Sequence, residues 1–137
     1  MNARLNSLLI TAVGLTLSAA AAYGQNKVAA DIPFSFRTAG GMQEAGRYAA
    51  IPANLDGSVL RIQNLDTGKS VLLGIGIPDG DYNKRPRLVF RCGDKNGCVL
   101  AGVWMADGRG WSYNTPKMKA ADRERVAVIY FNNNQAE

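Results

Sequence analysis

Histidine is absent from this sequence of 137 residues, and cysteine occurs only twice. Histidine is the most common general base, the most common metal ligand and the side chain whose charge changes near neutral pH. Without it, the chain cannot build a Ser-His-Asp triad or a Cys-His nucleophile pair from its own residues. We therefore expect a protein that is not an enzyme, with no catalytic residues, no metal site and no cofactor.

Long apolar runs are also missing, apart from one segment near the N-terminus. Residues 1–7 are polar and carry Arg4, residues 8–17 are apolar, and residues 19–24 are mostly small. This order predicts a secretory signal peptide over residues 1–24. The apolar run is shorter than the roughly 20 residues that a membrane-spanning helix needs. We therefore expect no membrane span after cleavage.

Cleavage before Gln25 leaves residues 25–137 as a single β-rich domain, exported to the periplasm or the extracellular space; a cut after Ala22 is the alternative. The whole chain has 16 Lys and Arg against 11 Asp and Glu, a net charge of +5. Loss of Arg4 lowers this by one. A mildly basic domain suits acidic polymers or anionic surfaces, although such a charge is also ordinary for solubility.

The two cysteines, Cys92 and Cys98, flank a turn-forming segment over residues 93–97. Two cysteines in an exported chain usually pair, so the sequence predicts a structural disulfide. A redox-active pair is the alternative, but such pairs usually lie two residues apart at the start of a helix. If the segment closes a hairpin, Cys92 faces Cys98, Phe90 faces Leu100, and the next pair on that face is Leu88 with Gly102.

Apolar side chains alternate with polar ones along nearly the whole mature chain, which is typical of half-buried strands. In the run over residues 28–36, Pro33 cannot donate a ladder hydrogen bond and predicts an edge strand or a bulge. Residues 125–131 are apolar on both faces and predict a central strand. Thr115 followed by Pro116 predicts a short helix near 116–123. The fold class is all-β, an antiparallel sandwich or small barrel of about seven or eight short strands.

Two short motifs resemble known functional sites but lack essential residues. Asp66-Thr67-Gly68 matches the aspartic protease tripeptide, but Asn64 and Lys69 stand where that site has apolar or small residues, so we expect a hairpin turn. The segment over residues 79–83 resembles the start of a calcium loop without its glycine and its final glutamate. A plain acidic turn is expected there, and a weak calcium site built with other loops is the alternative.

The densest basic segment supplies a candidate binding surface. Arg85, Arg87 and Arg91 project to one face of an extended strand, and Trp104, Trp111 and Tyr113 follow nearby in the chain; Trp111 and Tyr113 are the aromatic candidates for the surface. Basic and aromatic groups together bind sugar acids or nucleic acids. Because the chain is predicted to be exported, we expect a polysaccharide or another envelope component and no nucleic acid. The alternative is a solvated sheet face beside core tryptophans.

Four short runs occur in an order that resembles a known family: IPFSF at residues 32–36, AGRY at 45–48, RLVFR at 87–91 and VW at 103–104. The chain is similar over nearly all of its mature length to a family of short secreted bacterial β-rich proteins. The resemblance implies a β-rich fold and export. That family has no established activity, cofactor or catalytic residue, so the resemblance leaves function open.

The sequence as a whole predicts an exported, non-catalytic β-domain with a structural or binding role in the cell envelope or the extracellular space. The alternative is a carbohydrate- or anion-binding module that uses the basic and aromatic surface. An enzyme built on the neighbouring acids Asp79 and Asp81 is the remaining alternative.

Overall fold

The structure is a computed structural model that describes residues 28–80, 85–117 and 123–132. The predicted signal peptide over residues 1–24 lies outside the described residues. Within them the chain forms β-strands and no helix, which confirms the predicted all-β class; accordingly, this part contains no helix long and apolar enough to cross a membrane. The strands are β1 (Val28–Ile32), β2 (Phe36–Thr38), β3 (Gly41–Gln43), β4 (Gly46–Pro52), β5 (Leu60–Asn64), β6 (Ser70–Leu72), β7 (Ile77–Pro78), β8 (Arg87–Gly93), β9 (Gly97–Trp104), β10 (Gly110–Ser112) and β11 (Arg125–Tyr130).

The strands form two sheets. The first sheet has the order β1-β4-β5-β6, and the second has the order β11-β8-β9-β10-β7 with β2 and β3 attached beside β9. Neighbours are antiparallel except β2 and β9, which run parallel. The described residues do not close the sheets into a barrel, so the sandwich is the predicted architecture that fits. One core cluster contains buried side chains from both sheets.

The predicted strand over residues 28–36 is divided between the two sheets at Pro33. β1 ends at Ile32 and lies at the end of the first sheet, as the edge prediction required. After Pro33, which has no amide hydrogen to extend the ladder, the chain crosses over and Phe36 begins β2 in the second sheet. This crossover is one reason why the strands are more numerous and shorter than the sequence suggested.

Phe36 joins the two sheets at the centre of the core. Its ring centroid lies 5.2 Å from that of Tyr48 in the first sheet and 5.3 Å from that of Phe90 in the second, both with edge-to-face geometry. All three side chains are buried. Such pairs contribute about 0.5–1.5 kcal/mol each beyond the burial of their surface.

The predicted hairpin turn at Asp66-Thr67-Gly68 is confirmed. Asn64, a buried polar residue at the end of β5, accepts hydrogen bonds at Oδ1 from the amides of Asp66 (2.9 Å) and Thr67 (3.1 Å). Gly68 has a φ of 77°, a conformation that glycine adopts without steric cost. The tripeptide therefore serves as a turn between β5 and β6.

The Cys92–Cys98 disulfide is present, with the two Cα atoms 4.0 Å apart. These residues face each other across β8 and β9, and the next core pair, Phe90 with Leu100, also agrees with the predicted register.

Beyond Phe90 the predicted register is wrong. A β-bulge lies between Val89 and Phe90 on one side and Gly102 and Leu100 on the other, with Ala101 as the extra residue. Leu88 consequently faces Val103 and not Gly102. One inserted residue reverses which face the rest of a strand presents.

The last strand is not central, contrary to the sequence prediction. β11 stands at one end of the second sheet and pairs with β8. Its outer side chains, Val126, Val128 and Tyr130, are 64%, 40% and 45% exposed. Ala127 and Ile129 face inwards and pack against the core. The outer face of β11 is thus apolar but exposed, because no other described strand covers it.

The helix expected near 116–123 is not found at Thr115, Pro116 and Lys117 or at Arg123; residues 118–122 lie outside the described residues. Thr115 does not act as a cap, because its Oγ1 accepts a hydrogen bond from Nη1 of Arg91 at 2.7 Å.

Replacing Phe36 with alanine removes the ring that contacts Tyr48 in the first sheet and Phe90 in the second. We expect Phe36→Ala to lower the free energy of unfolding by about 3–5 kcal/mol, as for other buried Phe→Ala changes. Urea denaturation measures the effect. Met42→Ala is the matched control, because Met42 lies on the adjacent β3 and is 61% exposed; its effect should stay within about 0.5 kcal/mol. Equal losses for the two variants would contradict the proposed role of Phe36.

The disulfide closes a short loop, with a sequence separation of 6. In the loop-entropy description so small a ring stabilises by about 2–2.5 kcal/mol. The free energy of unfolding of Cys92→Ala/Cys98→Ala, measured by urea denaturation, should therefore be about 2–2.5 kcal/mol lower than that of the oxidised protein. Thiol titration of the denatured, unreduced protein should detect no free thiol, and two reactive thiols would contradict the pairing.

Candidate binding surface

The three arginines of the candidate surface lie on the outer face of the second sheet. Along β8 the alternate residues Leu88, Phe90 and Cys92 are buried, so Arg87 and Arg91 point away from the core. Arg85 precedes the strand, is exposed and lies over an outer-face ring described below. The three side chains therefore lie on the outer side of the second sheet.

The β-bulge brings Trp104 to the same face. Trp104 lies opposite Arg87, and the guanidinium carbon lies 4.4 Å from the centroid of the indole ring. The ring occupies the space above two glycines, since a Cβ at Gly102 would lie 2.6 Å from Cη2 of Trp104 and one at Gly110 would also overlap the ring. The indole Nε1 donates a hydrogen bond to the carbonyl of Asp79 at 2.6 Å. Trp104 therefore holds Arg87 in place while remaining only 8% exposed.

A second stacked pair lies beside the first. The guanidinium carbon of Arg85 lies 4.3 Å from the ring centroid of Tyr130, which faces Arg87 across β8 and β11. Tyr130 is nearly half exposed, and the exposed side chains of Val128 and Val126 lie on the same face of β11. The outer face thus combines two ordered guanidinium groups with an exposed apolar strip.

Arg91 is held by hydrogen bonds instead of by a ring. Its Nε donates to Oε1 of Glu124, and its Nη1 donates to Oγ1 of Thr115. The hydrogen bond from Arg91 keeps the pKa of the Glu124 carboxyl below its usual range. The charge of Arg91 is therefore partly neutralised, and Arg85 and Arg87 carry most of the positive charge available to a ligand.

The two aromatic candidates from the sequence, Trp111 and Tyr113, do not join this surface. Trp111 faces Val103 across β9 and β10, is 5% exposed and belongs to the core cluster. Arg109 lies over its ring at 5.0 Å. Tyr113 is partly buried and packs against the edge of the core, next to the bulge, where its amide donates to the carbonyl of Ala101 at 2.8 Å.

Sequence reasoning missed Tyr130 and named Trp104 only as an aromatic residue nearby in the chain, without placing it on this face. Tyr130 follows Val126 and Val128 at alternate positions, so the shared face of these three was readable from the pattern. The face of Trp104 was not readable from the pattern, because it depends on the bulge at Ala101.

The described residues contain no group of three or more histidine, cysteine, aspartate or glutamate side chains that could hold a metal ion. In the segment proposed as a calcium loop, residues 81–83 lie outside the described residues. Asp79 Oδ2 accepts a hydrogen bond from Ser112 Oγ at 3.4 Å. The guanidinium groups of Arg85 and Arg87, on the flat outer face of the second sheet, suit the binding of an anion.

Comparison with known proteins adds no further constraint. No protein-family model, curated protein or solved structure matches this chain.

Ionisation of Tyr113 should make the stability of the folded protein depend on pH. Its burial raises the pKa of the phenol from 10.0 to about 12. A raised pKa in the folded state gives a stability contribution that is complete below about pH 10 and is lost as the pH rises through about 12. Tyr113→Phe should therefore lose less stability than the wild-type protein over this range. Melting temperatures from about pH 9 upwards measure the difference. Phenolate absorbance that places Tyr113 ionisation near pH 10 would contradict the assignment.

Proposed function

We propose that this protein is an exported, non-catalytic β-sandwich domain that binds an acidic polysaccharide along the outer face of its second sheet. The observation that carries the proposal is the pair of guanidinium groups of Arg85 and Arg87 lying over the rings of Tyr130 and Trp104. Export is supported by the Cys92–Cys98 disulfide and by the signal peptide predicted from the sequence.

Stacked arginines suit the recognition of carboxylates. A guanidinium group held over a ring can still donate N–H hydrogen bonds to both oxygens of a carboxylate. Nη1 of Arg87 donates to the carbonyl of Arg85 at 3.2 Å, so its other donors are the ones left for a ligand. Because the rings already restrict Arg85 and Arg87, these side chains lose less conformational entropy when they bind a ligand. The surface is thus ordered before a ligand arrives.

The shape and apolar content of the face favour an extended polymer over a small ion. Small ligands bind mainly in concave sites, whereas this face is the exposed side of a sheet. Val126, Val128 and Tyr130 offer apolar surface beside the arginines. A chain of sugar acids carries both features that this face complements, since each unit has a carboxylate and an apolar C–H face.

Binding of polygalacturonate, measured by titration calorimetry at low salt, tests the proposal. We expect Arg85→Gln/Arg87→Gln to weaken binding by about tenfold or more, because two charge-assisted contacts are lost. Binding of the wild-type protein should also weaken as salt is added. Neutral dextran should bind far more weakly than polygalacturonate.

Arg47→Gln/Arg61→Gln is the matched control, because it removes the same charge from β4 and β5 on the first sheet. It should weaken binding less than twofold. If both double variants lose the same affinity for polygalacturonate, binding depends only on net charge and the proposal is overturned. Tighter binding of a single-stranded oligonucleotide than of polygalacturonate would also overturn it. Urea unfolding of each variant verifies that it is folded.

A further inference from the structure

A cleft lies on the edge of β9 that does not pair with β8; Val99, one of its lining residues, faces Arg91 across β8 and β9. Two different partners share this edge: β2 pairs with Cys98 and Val99, whereas β10 pairs from Gly102 onwards. Between them, at Leu100, the lateral pairing is interrupted. The gap opens into a cleft of about 360 Å³. This is a size at which small-molecule sites begin.

The floor of the cleft is apolar. Leu73 and Leu100 line it and are only 3% and 4% exposed, so they belong to the core cluster. Val99 and Pro116 add apolar walls, and Ile75 stands at the rim with 92% of its surface exposed. Because Leu73 and Leu100 are already almost fully buried, the apolar surface that an aliphatic group would cover belongs mainly to Val99, Pro116 and Ile75.

The charge at the cleft has one sign. Arg37 lines it, and no aspartate or glutamate does. Among the described residues, the Arg37 side chain makes no hydrogen bond or ion pair. By contrast, the hydroxyl of Thr38 is already used, since it accepts from the Gly40 amide and donates to the Gly41 carbonyl. Tyr113 and Asn114 complete the polar part of the lining.

We propose that this cleft binds a small amphipathic carboxylate, with its aliphatic chain against Leu73 and Leu100 and its carboxylate on Arg37. One cation beside an apolar floor complements a ligand that has one negative charge and one apolar end. A single guanidinium in the lining and a concave shape do not suit a long polyanion, so the ligand differs from that of the outer face and the proposal does not depend on the function proposed for that face.

Titration calorimetry with sodium decanoate, kept below its micelle concentration, tests the proposal on the disulfide-bonded protein. We expect saturable binding at one site. Arg37→Gln should weaken decanoate about tenfold, because a charge-assisted hydrogen bond is lost. The uncharged decan-1-ol should bind weakly to the wild-type protein and equally weakly to Arg37→Gln. Arg47→Gln, which removes an exposed arginine of the first sheet, should leave decanoate binding unchanged.

Filling the cleft provides an independent test. Ala39 lies on its wall in an exposed turn, and Ala39→Trp should abolish decanoate binding while the unfolding midpoint in urea stays close to that of the wild-type protein. Asn114→Trp serves the same purpose if the first variant does not fold.

Amide chemical shifts should change on decanoate addition at Gly74 and Asn114, which line the cleft. Shifts confined to β11 would overturn the proposal, as would unchanged affinity in Arg37→Gln or the absence of saturable binding. Arg85→Gln/Arg87→Gln should still bind decanoate. That variant separates a failure of this site from a failure of the flat face.

Discussion

The contact of Phe36 with Tyr48 and Phe90 is the constraint on which the rest of the structure depends. Tyr48 belongs to the first sheet and Phe90 to the second, so one ring at the start of β2 ties both layers together. Phe36 reaches this position because the chain leaves the first sheet at Pro33. The crossover that fills the core also places β2 beside β9, and this pairing leaves the gap at Leu100 along the same edge. Core packing and the cleft therefore have a common origin.

The bulge at Ala101 has a comparable effect on the outer face. It turns Val103 inwards onto Leu88 and Trp104 outwards beneath Arg87. The indole then covers a surface of glycines, whose lack of side chains is what allows the ring to lie against the sheet. The ordered arginines are thus a product of strand register as much as of residue type.

The two sites proposed on the second sheet differ in shape, and shape decides which ligand each one suits. The outer face is flat and bears two stacked guanidinium groups beside exposed Val126 and Val128, which complements an extended anionic chain. The cleft is concave, with a buried apolar floor and Arg37 alone at its side, which complements a small amphipathic anion. β9 connects them, with the bulge and Trp104 at one end and the pairing with β2 at the other.

The sequence by itself determined the all-β class, the disulfide, the hairpin turn after β5 and the edge position of the strand that ends before Pro33. These features follow from local chemistry: side-chain alternation, paired cysteines, turn residues and a missing amide hydrogen. Only the tertiary structure decided that Trp104 faces outwards, that Trp111 is buried, that β11 is an edge strand and that a cleft opens beside Arg37. Those outcomes depend on which strands become neighbours and on a single inserted residue. The alternating pattern of this sequence is compatible with the register on either side of that insertion, so only packing of the two sheets selects one.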